Sequence, residues 1–176
     1  AHIPVINMRY FMRKHEWGKI ENILTSSAFA FDQYFDEKLF FTGICGETKE
    51  EIISEIVRRI GEQKLLPRTF YNEIIAREAA SPTDFGYKTA LPHPKRPMGD
   101  STFASVAVLA SPFFWSSQKV RLVIIVSPEK GAIKKIRDFY QSVMAFILDK
   151  DKINDFLDEP TFGRLRKLFS SVYVQD

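Results

Sequence analysis

The residues best able to do chemistry lie between Arg77 and Arg96, in REAASPTDFGYKTALPHPKR. His93 stands there between Pro92 and Pro94, with Arg77, Lys88, Lys95 and Arg96 as candidate cations. A neutral imidazole nitrogen has a free lone pair near pH 7 and can attack phosphorus with little activation. Phosphoryl transfer depends mainly on positioning and on charge stabilisation. The site therefore needs a stiff histidine, a cation for the phosphoryl oxygens and an open face for a donor protein. Each proline fixes a backbone φ and restricts the residue before it, and an arginine can grip two phosphoryl oxygens at once. On these residues alone a second reading stands beside the first: a histidine in a proline-rich turn that only bonds the backbone.

Other chemistries lack their parts. The remaining histidines, His2 and His15, have no partner nearby in sequence, and His15 reads as a surface residue. No H-x-x-x-H, C-x-x-C or paired-carboxylate spacing would build a metal site, and neither a metal nor a cofactor is expected. G-x-S-x-G and P-loop motifs are absent too. Cys45 is the only cysteine, which excludes a disulfide framework, and its place at the end of an apolar strand predicts a buried thiol. The net charge of +3, from 25 basic and 22 acidic residues, is too small and interspersed for a nucleic-acid domain. KGAIKKIR and GRLRKLF, with Asp138, Asp149, Asp158 and Glu159 near them, read as solvated helix faces. With no apolar stretch near the roughly 18 residues of a membrane span and no signal peptide, no membrane insertion and a cytoplasmic location are expected.

Positioning such a histidine requires a body. The 176 residues are 45% hydrophobic and 27% charged with 16 phenylalanines, which predicts one well-filled domain. We place it at residues 25–176, after a linker or extension over 1–24 that holds IPVI and a helical stretch around Lys14–Leu24. Phe29, Phe31, Tyr34 and Phe35 suggest a segment packed onto the body. Strands are expected at Leu39–Ile44, Thr89–Pro92, Thr102–Leu109 and Val120–Val126, the last buried on both faces. SPFFW reads as a tight aromatic connection, with Phe113, Phe114 and Trp115 as core. A Thr48/Glu51 capping box opens a helix to about Lys64 with Ile52, Ile53, Ile56, Val57 and Ile60 on one face. Further helices are expected at about 68–78, 132–148, 152–157 and 161–172. This alternation predicts an α/β fold, a three-layer α/β/α sandwich.

The pattern Arg77, Glu78, Pro82, Thr83, Phe85, Gly86, Ala90, Leu91, Pro92, His93 resembles the active-site region of fructose/mannitol-type (type 2) enzyme IIA domains of the bacterial phosphotransferase system. The resemblance covers about residues 24–172. It implies a mixed central sheet, His93 as acceptor of phosphate from the phosphocarrier protein HPr, and Arg77 as the residue that steadies the phosphoryl group. Glu78 is left to orient Arg77 or to cap its helix. The protein is then a phosphohistidine carrier rather than an enzyme acting on a small molecule.

Two departures bear on its role. Thr89 and Pro94 replace the family's usual aliphatic and small residues, and the slot near Gly131–Ile133 holds no second histidine to aid onward transfer. Both features look more like the enzyme IIA-like domains of sugar-responsive transcription regulators and antiterminators, and IPVI with its helix looks like the linker before them. The chain, opening Ala1-His2, reads as a sensor module cut from a larger regulator. The alternatives are a transport enzyme IIA that passes phosphate to a sugar-specific enzyme IIB, and a degenerate interaction domain that takes none. A buried His93 would favour the last.

Overall fold

The computed structural model describes residues 30–131 and 133–170. The elements in order are α1 (Phe31–Tyr34), β1 (Phe35–Ile44), α2 (Lys49–Gln63), α3 (Phe70–Ala80), β2 (Thr89–Ala90), β3 (Phe103–Phe114), β4 (Lys119–Ser127), α4 (Ile133–Leu148), α5 (Lys150–Asp158) and α6 (Phe162–Ser170). The strands form one sheet in the order β1-β3-β4-β2. β1 and β3 are parallel, β3 and β4 antiparallel, β4 and β2 parallel, so the sheet is mixed as expected. The linker expected over residues 1–24, its helix, His15 and Phe29 lie outside the described residues.

β4 shows why the sheet is covered on both sides. Leu122, Ile124 and Val126 point into a core with Phe139, Phe146, Phe156 and Phe169 from α4, α5 and α6. Val123 and Ile125 point the other way, toward Ile53, Ile56, Phe70 and Ile74 of α2 and α3. Side chains alternate across a strand, so a strand with helices on both faces must be apolar throughout. Each fully buried large side chain is worth about 1.5–3 kcal/mol relative to exposure.

Helix α2 follows its predicted cap. Thr48 Oγ1 accepts from Glu51 N at 3.1 Å, while the Glu51 carboxylate accepts from Glu47 N at 2.9 Å, one residue earlier than a capping box prescribes. Ile52, Ile53, Ile56 and Ile60 are buried, with Val57 half-buried beside them. Helix α3 begins after Pro67 and runs two residues further than expected, which places Arg77 and Glu78 inside its final turn.

Several expectations need correction. β1 begins at Phe35, because Phe35 already pairs with Ala104. The edge strand β2 is only two residues long. SPFFW is not a connection: β3 runs on to Phe114, which pairs with Lys119, and the turn falls at Trp115–Gln118 (Trp115 N to Gln118 O, 3.0 Å). A register shift between Val108 and Phe113 accommodates Pro112, which has no N–H for a ladder bond. Trp115 is core, but Phe113 is half-buried and Phe114 is 63% exposed at the hairpin tip. Cys45 is exposed, because β1 ends one residue earlier and the chain leaves the sheet there.

Candidate functional site

His93 is held from three directions by backbone. Leu91 N donates to Thr83 O at 2.9 Å, Val126 N to Pro92 O at 3.1 Å, and Lys95 N to Glu73 O at 3.2 Å. Both prolines lack an N–H, so the segment is anchored through its carbonyls and through the residues beyond them. The imidazole bridges two fixed groups: Nδ1 lies 2.9 Å from Leu91 O, and Nε2 lies 3.1 Å from Arg77 Nε. A guanidinium can only donate, so Nε2 must be the accepting nitrogen and Nδ1 carries the proton, donated to Leu91 O.

His93 is only 7% exposed, so little of it faces the solvent from which a donor protein would approach. Burial drives its pKa down to about 4, with the Arg77 charge acting in the same direction and the Leu91 hydrogen bond opposing them. The imidazole is thus neutral at pH 7, with its lone pair on Nε2 directed at Arg77.

Arg77 and Glu78 are neighbours on α3, and both are buried. Arg77 Nη1 donates to Ser81 O at 2.6 Å, near the end of α3, where a cation suits the exposed carbonyls. Glu78 takes a different direction. Its Oε1 accepts from Trp115 Nε1 at 2.7 Å and from Thr83 N at 3.2 Å, and its Oε2 accepts from Thr83 Oγ1 at 2.6 Å. Lys49 Nζ sits 3.5 Å from Oε1. The roles expected for Glu78, orienting Arg77 or capping the helix, give way to a hold on the Thr83 loop.

Two of the other candidate cations are engaged elsewhere. Lys88 Nζ donates to Asn154 Oδ1 at 2.9 Å, and Arg96 Nη2 to Glu73 Oε1 at 2.7 Å. The Lys95 side chain is exposed. Sequence reasoning missed Lys49 and the second duty of Trp115. Neither left a local signal, since both reach Glu78 from distant parts of the chain. Among the described residues there is no cluster of His, Cys, Asp or Glu able to hold a metal ion, and no helix long and apolar enough to cross a membrane.

A mixed sheet between helical layers is the architecture of a known class of domain. The chain belongs to the family described as phosphoenolpyruvate-dependent sugar phosphotransferase system, EIIA 2, whose model matches residues 33–172. Among individual proteins it is similar to the "Probable licABCH operon regulator" of Bacillus subtilis (strain 168), at 27% identity over 167 residues. That match takes in 95% of this chain and 26% of the regulator, so the chain spans about a quarter of its relative's length. Among solved structures, nitrogen regulatory protein IIA-Ntr from Neisseria meningitidis superposes with a TM-score of 0.69 at 13% identity, over 77% of this chain and 95% of that one. The mannitol enzyme IIA of Escherichia coli, solved in complex with phosphorylated enzyme IIB, gives 0.65 at 18% identity, over 78% and 99%. At these identities the structural likeness is one of fold.

Proposed function

We propose that this domain is a phosphoryl sensor within a sugar-responsive transcription regulator, in which His93 Nε2 takes phosphate from HPr in the cytoplasm. The observation that carries this reading is the pair of contacts on one ring. Leu91 O holds the Nδ1 proton while a buried arginine faces the lone pair on Nε2. A histidine that merely filled a turn would need neither.

In the transfer, the Nε2 lone pair forms a bond to phosphorus, and the bond between phosphorus and the donor breaks with its electron pair returning to the donor. The Nδ1 proton stays in place, and Leu91 O stabilises the positive charge the ring acquires. Arg77 Nε must first leave Nε2. An incoming phosphoryl group, with its negative oxygens, supplies the attraction that draws the guanidinium off the ring and onto itself. Phosphate at His93 changes the local charge by almost two units, which can alter packing against neighbouring domains.

The likeness to the operon regulator supports a sensing role over a transport role. In the transport reading, phosphate passes on to an enzyme IIB. The burial of His93 favours a second reading, an interaction domain that no longer takes phosphate. One experiment separates them: intact mass after incubation with phosphoenolpyruvate, enzyme I and HPr, for wild type and His93→Ala. One added phosphoryl group on the wild type alone is expected. No added mass on either, with the relay working on a control protein, would leave the interaction domain. Loss of the label on adding an enzyme IIB would favour transport.

A further inference from the structure

We propose that Glu78 is a positioning residue for His93, acting through Thr83 and the Leu91 carbonyl to select the imidazole tautomer; this rests on reading His93 as the phosphoryl acceptor. A carboxylate that is 3% exposed is costly to bury unless its oxygens are satisfied. Glu78 meets that cost with three hydrogen bonds and the Lys49 ammonium, and the contacts are not scattered. Two of them clamp one residue, Thr83, at its N–H and its hydroxyl.

With both donors taken, Thr83 presents its carbonyl to Leu91 N at 2.9 Å and to Phe85 N at 2.8 Å. Leu91 O in turn receives the Nδ1 proton of His93. An unbroken series of short contacts thus links the carboxylate to the imidazole, through residues that are all buried. The same carboxylate binds Trp115 at the β3–β4 turn, where Gln118 Nε2 donates to Asp84 O and Gly86 O at 3.1 and 2.9 Å. The Thr83 loop is therefore fixed on both sides.

The chemical consequence concerns the proton. If Thr83 loosens, Leu91 O no longer holds Nδ1–H in place, and the proton can move to Nε2. Arg77 Nε–H opposes that move only while it stays on the ring; where it swings away, the nitrogen meant for phosphorus has no lone pair. Glutamine at this position keeps the shape of the side chain but loses the charge opposite Lys49. It also puts a donor where one of two accepting oxygens is needed.

The test compares Glu78→Gln, Thr83→Val and Thr83→Ser with wild type. Long-range proton–nitrogen correlation spectra report the His93 tautomer, amide dispersion reports folding, and initial rates over a range of phospho-HPr concentrations separate turnover from binding. Wild type and Thr83→Ser should show Nδ1–H alone. Glu78→Gln and Thr83→Val should stay folded, show both tautomers in exchange, and lose about tenfold in maximal rate with little change in half-saturating donor, as for an interaction used in the transition state. Folded Glu78→Gln and Thr83→Val proteins with a single Nδ1–H tautomer and wild-type rates would overturn the proposal. If Glu78→Gln does not fold, Thr83→Val decides, since it leaves the Trp115 and Lys49 contacts in place. Should wild type itself take no phosphate, the acceptor reading falls, while the tautomer spectra still decide whether Glu78 governs the ring.

Discussion

At His93 the folded protein prefers a neutral ring because burial, aided by the Arg77 charge, outweighs the Leu91 carbonyl, whose bond from Nδ1–H would strengthen if the ring were charged. That preference has a definite sign. A histidine in the unfolded chain titrates near 6.5, whereas in the fold this one titrates at about 4. Between those values the unfolded state binds the extra proton, so stability falls as pH is lowered through that window and is unaffected above it. The loss is on the order of 3 kcal/mol once pH reaches the folded value. Denaturant midpoints of wild type and His93→Gln, compared at about pH 7 and about pH 5, should diverge in favour of the glutamine variant as pH falls. Parallel pH dependences would show that His93 is not held neutral by the fold.

The elements around the site meet at a few tight points, and Gly86 is the tightest. Its φ of +74° lies in the left-handed region, and a Cβ built there would come within 2.6 Å of Ile147 O at the end of α4. Next to it, Tyr87 N donates to that same carbonyl at 2.7 Å. Gly86→Ala should cost about 3 kcal/mol, combining a strained backbone with overpacking, and a denaturant melt would read it. These elements were unequally legible in the sequence. α2 and β4 announce themselves, one by a cap and a helical period, the other by an unbroken apolar run. The continuation of β3 through Pro112 was hidden, because a proline reads as an end to a strand and only the register shift makes room for it. His93 stood out by elimination and by its prolines, and Arg77 through the family pattern. What Glu78 does was not legible, since its partners Lys49 and Trp115 converge on it only in three dimensions.

Among the described residues, aromatic packing joins the first helix to the last. Phe31 stacks on Phe35 at 4.5 Å and meets Phe162 and Phe169 of α6 at 5.6 and 5.4 Å. Above them Asp32 and Arg166 form an ion pair at 2.6 Å between largely exposed side chains. The two contacts join the same elements with different strength. Phe31→Ala should destabilise the protein by about 3–5 kcal/mol, whereas Asp32→Asn should leave the thermal midpoint almost unmoved, as exposed pairs contribute little. A large effect of Asp32→Asn would assign that junction to charge instead. The sheet has one more consequence. Cys45, the chain's single thiol, is exposed beyond β1, and β1 and β2 are opposite edges of the sheet, with His93 joined to β2. A fluorophore or surface linker attached there without mutagenesis has one place to go. It would tether the domain in a defined orientation, with His93 on the far side of two intervening strands.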